Sequence, residues 1–226
     1  MSSTTASCQH TTRARLHSSR RLLRLGCAAL TLTWVAGCGA TRVSVPDTFP
    51  TPLVDKLPLH IGVRLDDELK SYRLHDKPEQ GTEIEIEVGS AQTALFSTLL
   101  NGMFARGSVI SDSGTTGMDA VLVPSIEELQ FSTPELTKTD YFEVWIRYRI
   151  RLYRPDDTLI AEWPLTAYGQ ANARNYGMQG DQPALQAAAL AACRDAMTGF
   201  IVQFRTVRAV EAWLSNPSAA PGAPPA

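Results

Sequence analysis

Cysteine and histidine are both scarce in this chain of 226 residues, at four apiece. Cys8, Cys27, His10 and His17 all lie within the first 37 residues. Beyond them stand Cys38, Cys193, His60 and His75, with the two histidines fifteen apart and no cysteine cluster near either. That spacing excludes a structural zinc site. Also missing are GxSxG, SxxK and any glycine loop built to cradle phosphate, so the common hydrolase and nucleotide signatures are absent. Neither sign of charge dominates: 21 Lys and Arg face 23 Asp and Glu, a net charge of −2. This balance argues against nucleic acid as a partner. No internal repeat is visible.

What is present begins with an export signal. Arg13, Arg15, Arg20, Arg21 and Arg24 form a basic segment without an acidic residue, followed by an apolar run from Leu25 to Val35. Eleven apolar residues are too few to span a bilayer, and the basic flank marks the run as a signal peptide. It ends in Val35-Ala36-Gly37-Cys38, which resembles the bacterial lipobox. The resemblance implies cleavage after residue 37 and acylation of Cys38, and three acyl chains exceed the two needed for stable anchoring. Gly39 stands where an aspartate resembles an inner-membrane retention signal, so the expected address is the periplasmic face of the outer membrane. Arg20-Arg21 resembles a twin-arginine motif without its usual phenylalanine, which favours the general secretory route. Losing five arginines leaves 16 basic against 23 acidic residues, a net −7 for the mature chain. Cys193 is then the sole free thiol and reads as a small core residue.

The mature chain divides simply. Residues 38–57, with Pro46, Pro50 and Pro52, read as a lipidated cysteine on an extended tether reaching about 60 Å. Residues 58–214 have the size of one domain, and residues 215–226 form a proline and alanine tail expected to be disordered. Within the domain, alternation predicts strands over 57–65, 83–88, 120–131, 142–153 and 159–168. A helix begins near Ser90, carries Leu95, Phe96, Leu99, Leu100, Met103 and Phe104 on one face, and ends at Gly107. A second opens at Asp181 and Pro183, with a stripe from Leu185 to Phe204 that Val207, Val210, Trp213 and Leu214 extend. The fold class is α+β: an antiparallel or mixed sheet of about four to five strands, with two amphipathic helices packed on one face and the other face open to water.

Residues 142–153 carry the clearest pattern. Val144, Ile146, Tyr148, Ile150 and Leu152 alternate with Trp145, Arg147, Arg149, Arg151 and Tyr153. A turn centred on Asp156-Asp157 pairs residues whose numbers sum to 313, setting Ile150 against Trp163, Arg151 against Glu162, Arg147 against Thr166 and Trp145 against Tyr168. The outer face is therefore the candidate binding face: Trp145, Arg147, Arg149, Arg151, Tyr153 and Tyr168. Its arginines either grip an anionic headgroup or acidic partner, or pair with Glu162 and with Glu127 or Glu128 as a solvated sheet face.

Weaker signals stand beside it. Asp112-Ser113-Gly114-Thr115 resembles the catalytic loop of aspartic proteases, but that chemistry needs a second carboxylate and the chain has no second copy. Asp66 to Lys70 (DDELK) and Glu127-Glu128 are acidic spots without calcium-loop spacing. Arg194-Asp195, on the last helix, is expected to pair with neighbouring strands.

The run DAVLVPSIEELQF, the long aromatic strand, RPDDTLIAEW and the final AALAACRDAMTGFIVQF…VEAWL resemble small periplasmic lipoproteins of Gram-negative bacteria. The likeness is to auxiliary lipoproteins of envelope ABC transporters and, more distantly, to LptE-like and TolB amino-terminal folds, over residues 57–214. The resemblance implies an α+β sandwich and a non-enzymatic role, with no catalytic residue and no cofactor to carry over. The expected function is a lipid-anchored accessory of an envelope transport or assembly system, held to the membrane by its acyl chains and binding a protein partner or an anionic lipid. The alternatives are a structural lipoprotein contacting peptidoglycan and a periplasmic hydrolase using Asp112.

Overall fold

The computed structural model describes residues 41–77, 83–111, 114–177 and 180–216. Cys38 and Asp112, the lipidation site and the protease-like aspartate, lie outside the described residues, as do residues 217–226 of the expected tail. The strands are β1 (Thr41–Ser44), β2 (Leu57–Arg64), β3 (Arg73–Asp76), β4 (Ile84–Glu87), β5 (Phe104–Ile110), β6 (Ala120–Ser132), β7 (Tyr141–Tyr153) and β8 (Leu159–Asn172). The helices are α1 (Asp67–Lys70), α2 (Gly89–Met103), α3 (Pro134–Thr137), α4 (Asp181–Phe204) and α5 (Arg208–Ser215). One sheet has five strands in the order β5-β2-β6-β7-β8, the other three in the order β1-β4-β3. β2 runs parallel to both β5 and β6, while β6, β7 and β8 are antiparallel neighbours. The fold is α+β on mixed sheets, as the patterning predicts.

The β7–β8 register is the predicted one: Ile150 faces Trp163, Arg151 faces Glu162, Arg147 faces Thr166 and Trp145 faces Tyr168. Period-two burial selects it, because a slip of one residue would turn Tyr148, Ile150 and Leu152 out to water. The turn is closed by Asp156, whose Oδ1 accepts the Thr158 N–H at 3.0 Å, and by Asp157 at φ 61°. β6 contains a bulge between Ile126 and Glu128. Two polar residues between buried Ile126 and buried Leu129 leave strict alternation no solution, and the extra residue restores Leu129 to the core.

α4 covers the inner face of β7 and β8. Ala184, Ala188, Ala189, Ala192 and Ala196 on its buried side let it approach closely. Gly169 of β8 completes the fit, since a Cβ there would collide with the backbone of Ala188 and Ala192. The helix is apolar and long enough to cross a membrane by composition, but its alanine face is spent on this packing. Trp163, Phe200, Phe204 and Phe104 form an aromatic cluster, with Phe104 and Phe204 edge to face at 5.2 Å. Both α2 and α4 reach Tyr148 from the same side. Its ring meets Phe96 edge to face at 6.2 Å, and its hydroxyl donates to Gln92 Oε1 at 3.2 Å beside the Cys193 thiol. Burial pushes that thiol up to about 12, so Cys193 is the neutral core residue its neighbours imply.

Four expectations are corrected. The segment read as a tether is partly folded: β1 pairs with β4, and Val43, Val45 and Phe49 are buried. The prolines at 46, 50 and 52 all follow Thr41–Ser44, so every residue of that stretch keeps the N–H a ladder needs. The first helix ends at Met103, not Gly107. Phe104 turns extended and starts β5, in which Gly107 pairs with Ile61. Ser90 is not its cap, because the helix begins one residue earlier with Val88 at the boundary. Finally, Val207 to Leu214 do not extend the long helix, which breaks after Phe204 and restarts at Arg208 as α5, burying Val210 and Trp213.

Edge strands carry unpaired backbone groups that proteins must blunt. β8 does so with Pro164, which lacks an N–H, and with Asp195 of α4, whose Oδ2 accepts the outward Tyr168 N–H at 2.9 Å. This is the strand contact expected of Arg194-Asp195, made by the aspartate.

Candidate functional site

β7 places Arg147, Arg149 and Arg151 on the outer face at every second residue, about 6.8 Å apart. The strands on either side answer them with glutamates. Glu128 binds Arg147 at 2.6 Å, Glu127 reaches Arg147 at 3.5 Å and also holds Arg149. Glu162 bridges Arg149 at 2.6 Å and Arg151 at 2.7 Å. The bulge in β6 explains why two consecutive glutamates serve one face, since regular pleating would have turned one of them inward. Charge-assisted bonds to Arg151 and then Arg149 hold the Glu162 carboxyl below its ordinary value, and Glu162 and Glu127 in turn raise Arg149.

The ladder is thus electrically balanced, three guanidinium groups against three carboxylates. An anionic headgroup would have to displace glutamates already bonded at 2.6–2.7 Å. The geometry fits a partner that presents both donors and acceptors better than it fits a simple anion.

The aromatic residues divide. Trp145 and Tyr168 lie side by side, ring centroids 5.3 Å apart and tilted by 40°. The Tyr168 hydroxyl donates to Glu143 at 2.6 Å, which raises its pKa to about 12 and keeps it a neutral donor. Beside the pair is a shallow depression of about 270 Å³ lined by Glu128, Gln130, Trp145, Arg147 and Thr166. Tyr153 stands at the other end of the strand, past a register shift, about 27 Å from Trp145 by strand rise. Five of the six residues named from sequence therefore share one continuous surface, and Tyr153 lies at its margin. The Arg151–Glu162 pair is the one the hairpin register predicts; the sequence leaves open how Glu127 and Glu128 serve the other arginines, although the doublet in IEEL is the signature of the bulge that decides it.

The acidic spot DDELK is structural. Asp66 caps α1 by accepting the Leu69 N–H at 2.7 Å, and Lys70 pairs with Asp67 at 2.6 Å, lowering that carboxyl. Asp66, Asp67, Lys70 and Ser111 line a cleft of about 740 Å³ at the carboxyl ends of β2 and β5. His60 of β2 fixes the segment ahead of β6: its ring lies 2.9 Å from the Gly117 carbonyl, and its backbone N–H donates to Asp119 Oδ2 at 2.7 Å. Among the described residues, no three His, Cys, Asp or Glu side chains are grouped to hold a metal ion.

No family model and no curated protein matches the chain. Solved structures give remote likenesses. A Xanthomonas campestris protein of the DUF330 family is 15% identical with a TM-score of 0.48, covering 77% of this chain and 96% of its own. A candidate lipoprotein from Caulobacter crescentus CB15 is 13% identical with a TM-score of 0.38, over 58% and 86% of the two chains. A candidate Helicobacter pylori homologue of a neuraminyllactose-binding hemagglutinin is 10% identical with a TM-score of 0.40, over 76% and 97%. At these scores the likenesses carry no argument about function.

Proposed function

We propose that the chain is an exported, lipid-anchored accessory protein of a cell-envelope transport or assembly system, which docks a protein partner on the outer face of β6, β7 and β8. The observation that carries the reading is the register of basic segment, apolar run and VAGC ending at Cys38, ahead of a folded domain that opens at Thr41. Gly39 after the cysteine supports the outer membrane as the address, with the domain in the periplasm. The balanced ladder and the Trp145–Tyr168 pair support a protein over an anionic lipid as the ligand, because aromatic and arginine side chains supply most interface anchors. The role is non-enzymatic.

The test has two parts. Labelled fatty acid enters the native chain and not Cys38→Ser. The double substitution Arg147→Glu with Arg149→Glu sets two new negative charges beside Glu127 and Glu128, and the folded variant loses the crosslinked partner of the native protein. An unchanged set of crosslinked species sinks the docking face.

A further inference from the structure

The short reach between the acylated cysteine and the first strand limits where the domain can be. The Thr41 N–H donates to the Glu83 carbonyl at 2.7 Å, and β1 is paired with β4 from its first residue, Thr41 opposite Ile84 and Arg42 opposite Glu85. Val43 and Val45 follow with 2% and 3% exposure, so the strand is sealed into the core. Cys38 precedes Thr41 by three residues, which span at most about 11 Å fully extended. Acyl chains buried in a bilayer therefore hold the start of β1 within roughly that distance of the headgroups.

The pairing shows which surface this brings down. β3 and β4 set Asp76 opposite Ile84 and His75 opposite Glu85, level with Thr41 and Arg42, and exposed Lys77 follows. The opposite end of the molecule can be located too. Gln186, in the second turn of α4, donates to the Ser44 carbonyl at 2.7 Å, and the nearby Ala188 lies against Gly169, close to the end of β8. β1 thus lies by the end of the long sheet where β7 starts and β8 finishes. From there β7 runs thirteen residues to the Asp156-Asp157 turn, about 44 Å at strand rise.

We propose that the domain rests directly on the lipid surface at its β1 end, with Asp76 and Lys77 at the headgroups. The β7–β8 turn, about 30 Å or more from Thr41 once the reach from Ser44 to Thr41 is subtracted from the strand length, then points away from the lipid. The ladder face stands upright on the membrane with Trp145 nearer the lipid than Arg151. A partner on that face meets it beside the bilayer, not at the end of a flexible stalk. The contact is imposed by chain length and not by charge, since Arg42, His75 and Lys77 are mixed with Asp76, Glu83 and Glu85. The proposal rests on the lipid-anchor reading above.

The experiment uses the full-length protein matured in cells and reconstituted in vesicles of phosphatidylethanolamine and phosphatidylglycerol carrying a fluorescent acceptor on the headgroup. A donor is attached at Asp76→Cys, or Lys77→Cys should the first fold poorly, and separately at Leu159→Cys beside the far turn. Cys193 is buried and does not take the dye. The donor at 76 or 77 loses most of its emission and the donor at 159 keeps most of its own. Inserting about twenty Gly/Ser residues after Gly39 abolishes the difference, because such a linker reaches about 25 Å on average. Equal transfer from both positions in protein that incorporates fatty acid overturns the apposition and leaves the anchor intact. Failure of the native chain to incorporate fatty acid overturns the anchor and the apposition together.

Discussion

Changing Tyr148 to phenylalanine removes one oxygen from the centre of the core and leaves the ring in place against Phe96. That oxygen donates to Gln92 Oε1 at 3.2 Å, and both residues have no exposed surface. The other end of the amide is used, since Gln92 Nε2 donates to the Val88 carbonyl at 3.0 Å. The variant therefore strands a buried carbonyl acceptor with only the weakly donating Cys193 thiol beside it. Leaving such a group unpaired costs about 1–3 kcal/mol. For a domain of this size, a loss of about 2 kcal/mol lowers Tm by roughly 4–8 °C. Gln92→Met strands the tyrosine hydroxyl instead, at a similar cost. The double variant strands neither, so its loss falls short of the sum of the singles by about 0.5–3 kcal/mol. Urea unfolding of the four proteins, with equal m-values as a check on the denatured state, measures the coupling. Additive losses would refute the idea that hydroxyl and amide are one buried unit.

Two further outcomes follow from the packing and from the ladder. Gly169→Ala drives a methyl group into the α4 backbone at Ala188 and Ala192 and costs about 3 kcal/mol or more; Gly199→Ala meets only the flexible tip of Leu165 at 2.8 Å and leaves the thermal midpoint nearly unchanged, so equal midpoints for the two would contradict the close approach. Glu162 has its carboxyl held below the ordinary glutamate value by Arg151 and Arg149, so its share of stability is complete above that value and is lost as pH falls through the lowered one. Arg151→Gln with Arg149→Gln should flatten the acid limb of a urea-midpoint profile, and an unaltered limb would show that the pairs add nothing.

The particular residues show where sequence was enough. β7 and β8 were legible down to the register, because period-two burial and a two-aspartate turn leave a single pairing that puts both faces in their proper medium. α4 was legible because its alanine stripe keeps helical spacing for 24 residues. β1 and β5 were not. Thr41–Ser44 is four residues long, and its partner β4 begins 43 positions later, a pairing that no local pattern announces. Phe104–Ile110 follows α2 without a loop, and Phe104 continues the helical stripe by spacing while lying extended in fact. In the candidate site, the arginines and the Arg151–Glu162 pair were readable, but the division of Glu127 and Glu128 between Arg147 and Arg149 was not, because a bulge counts residues in one strand against another.

By itself the sequence determined the local and periodic features: the alternation of the long hairpin and the apolar faces of α2 and α4. These follow from side chains a few residues apart, which share a strand face or helix stripe whatever the rest of the chain does. Tertiary structure decided the long-range ones. It placed Thr41 in a sheet beside Ile84, gave Glu127 and Glu128 to one side of β6, and joined Tyr148 to Gln92 and Cys193 across the core. Each depends on which distant segments meet, and that is settled by the burial of the whole apolar surface at once.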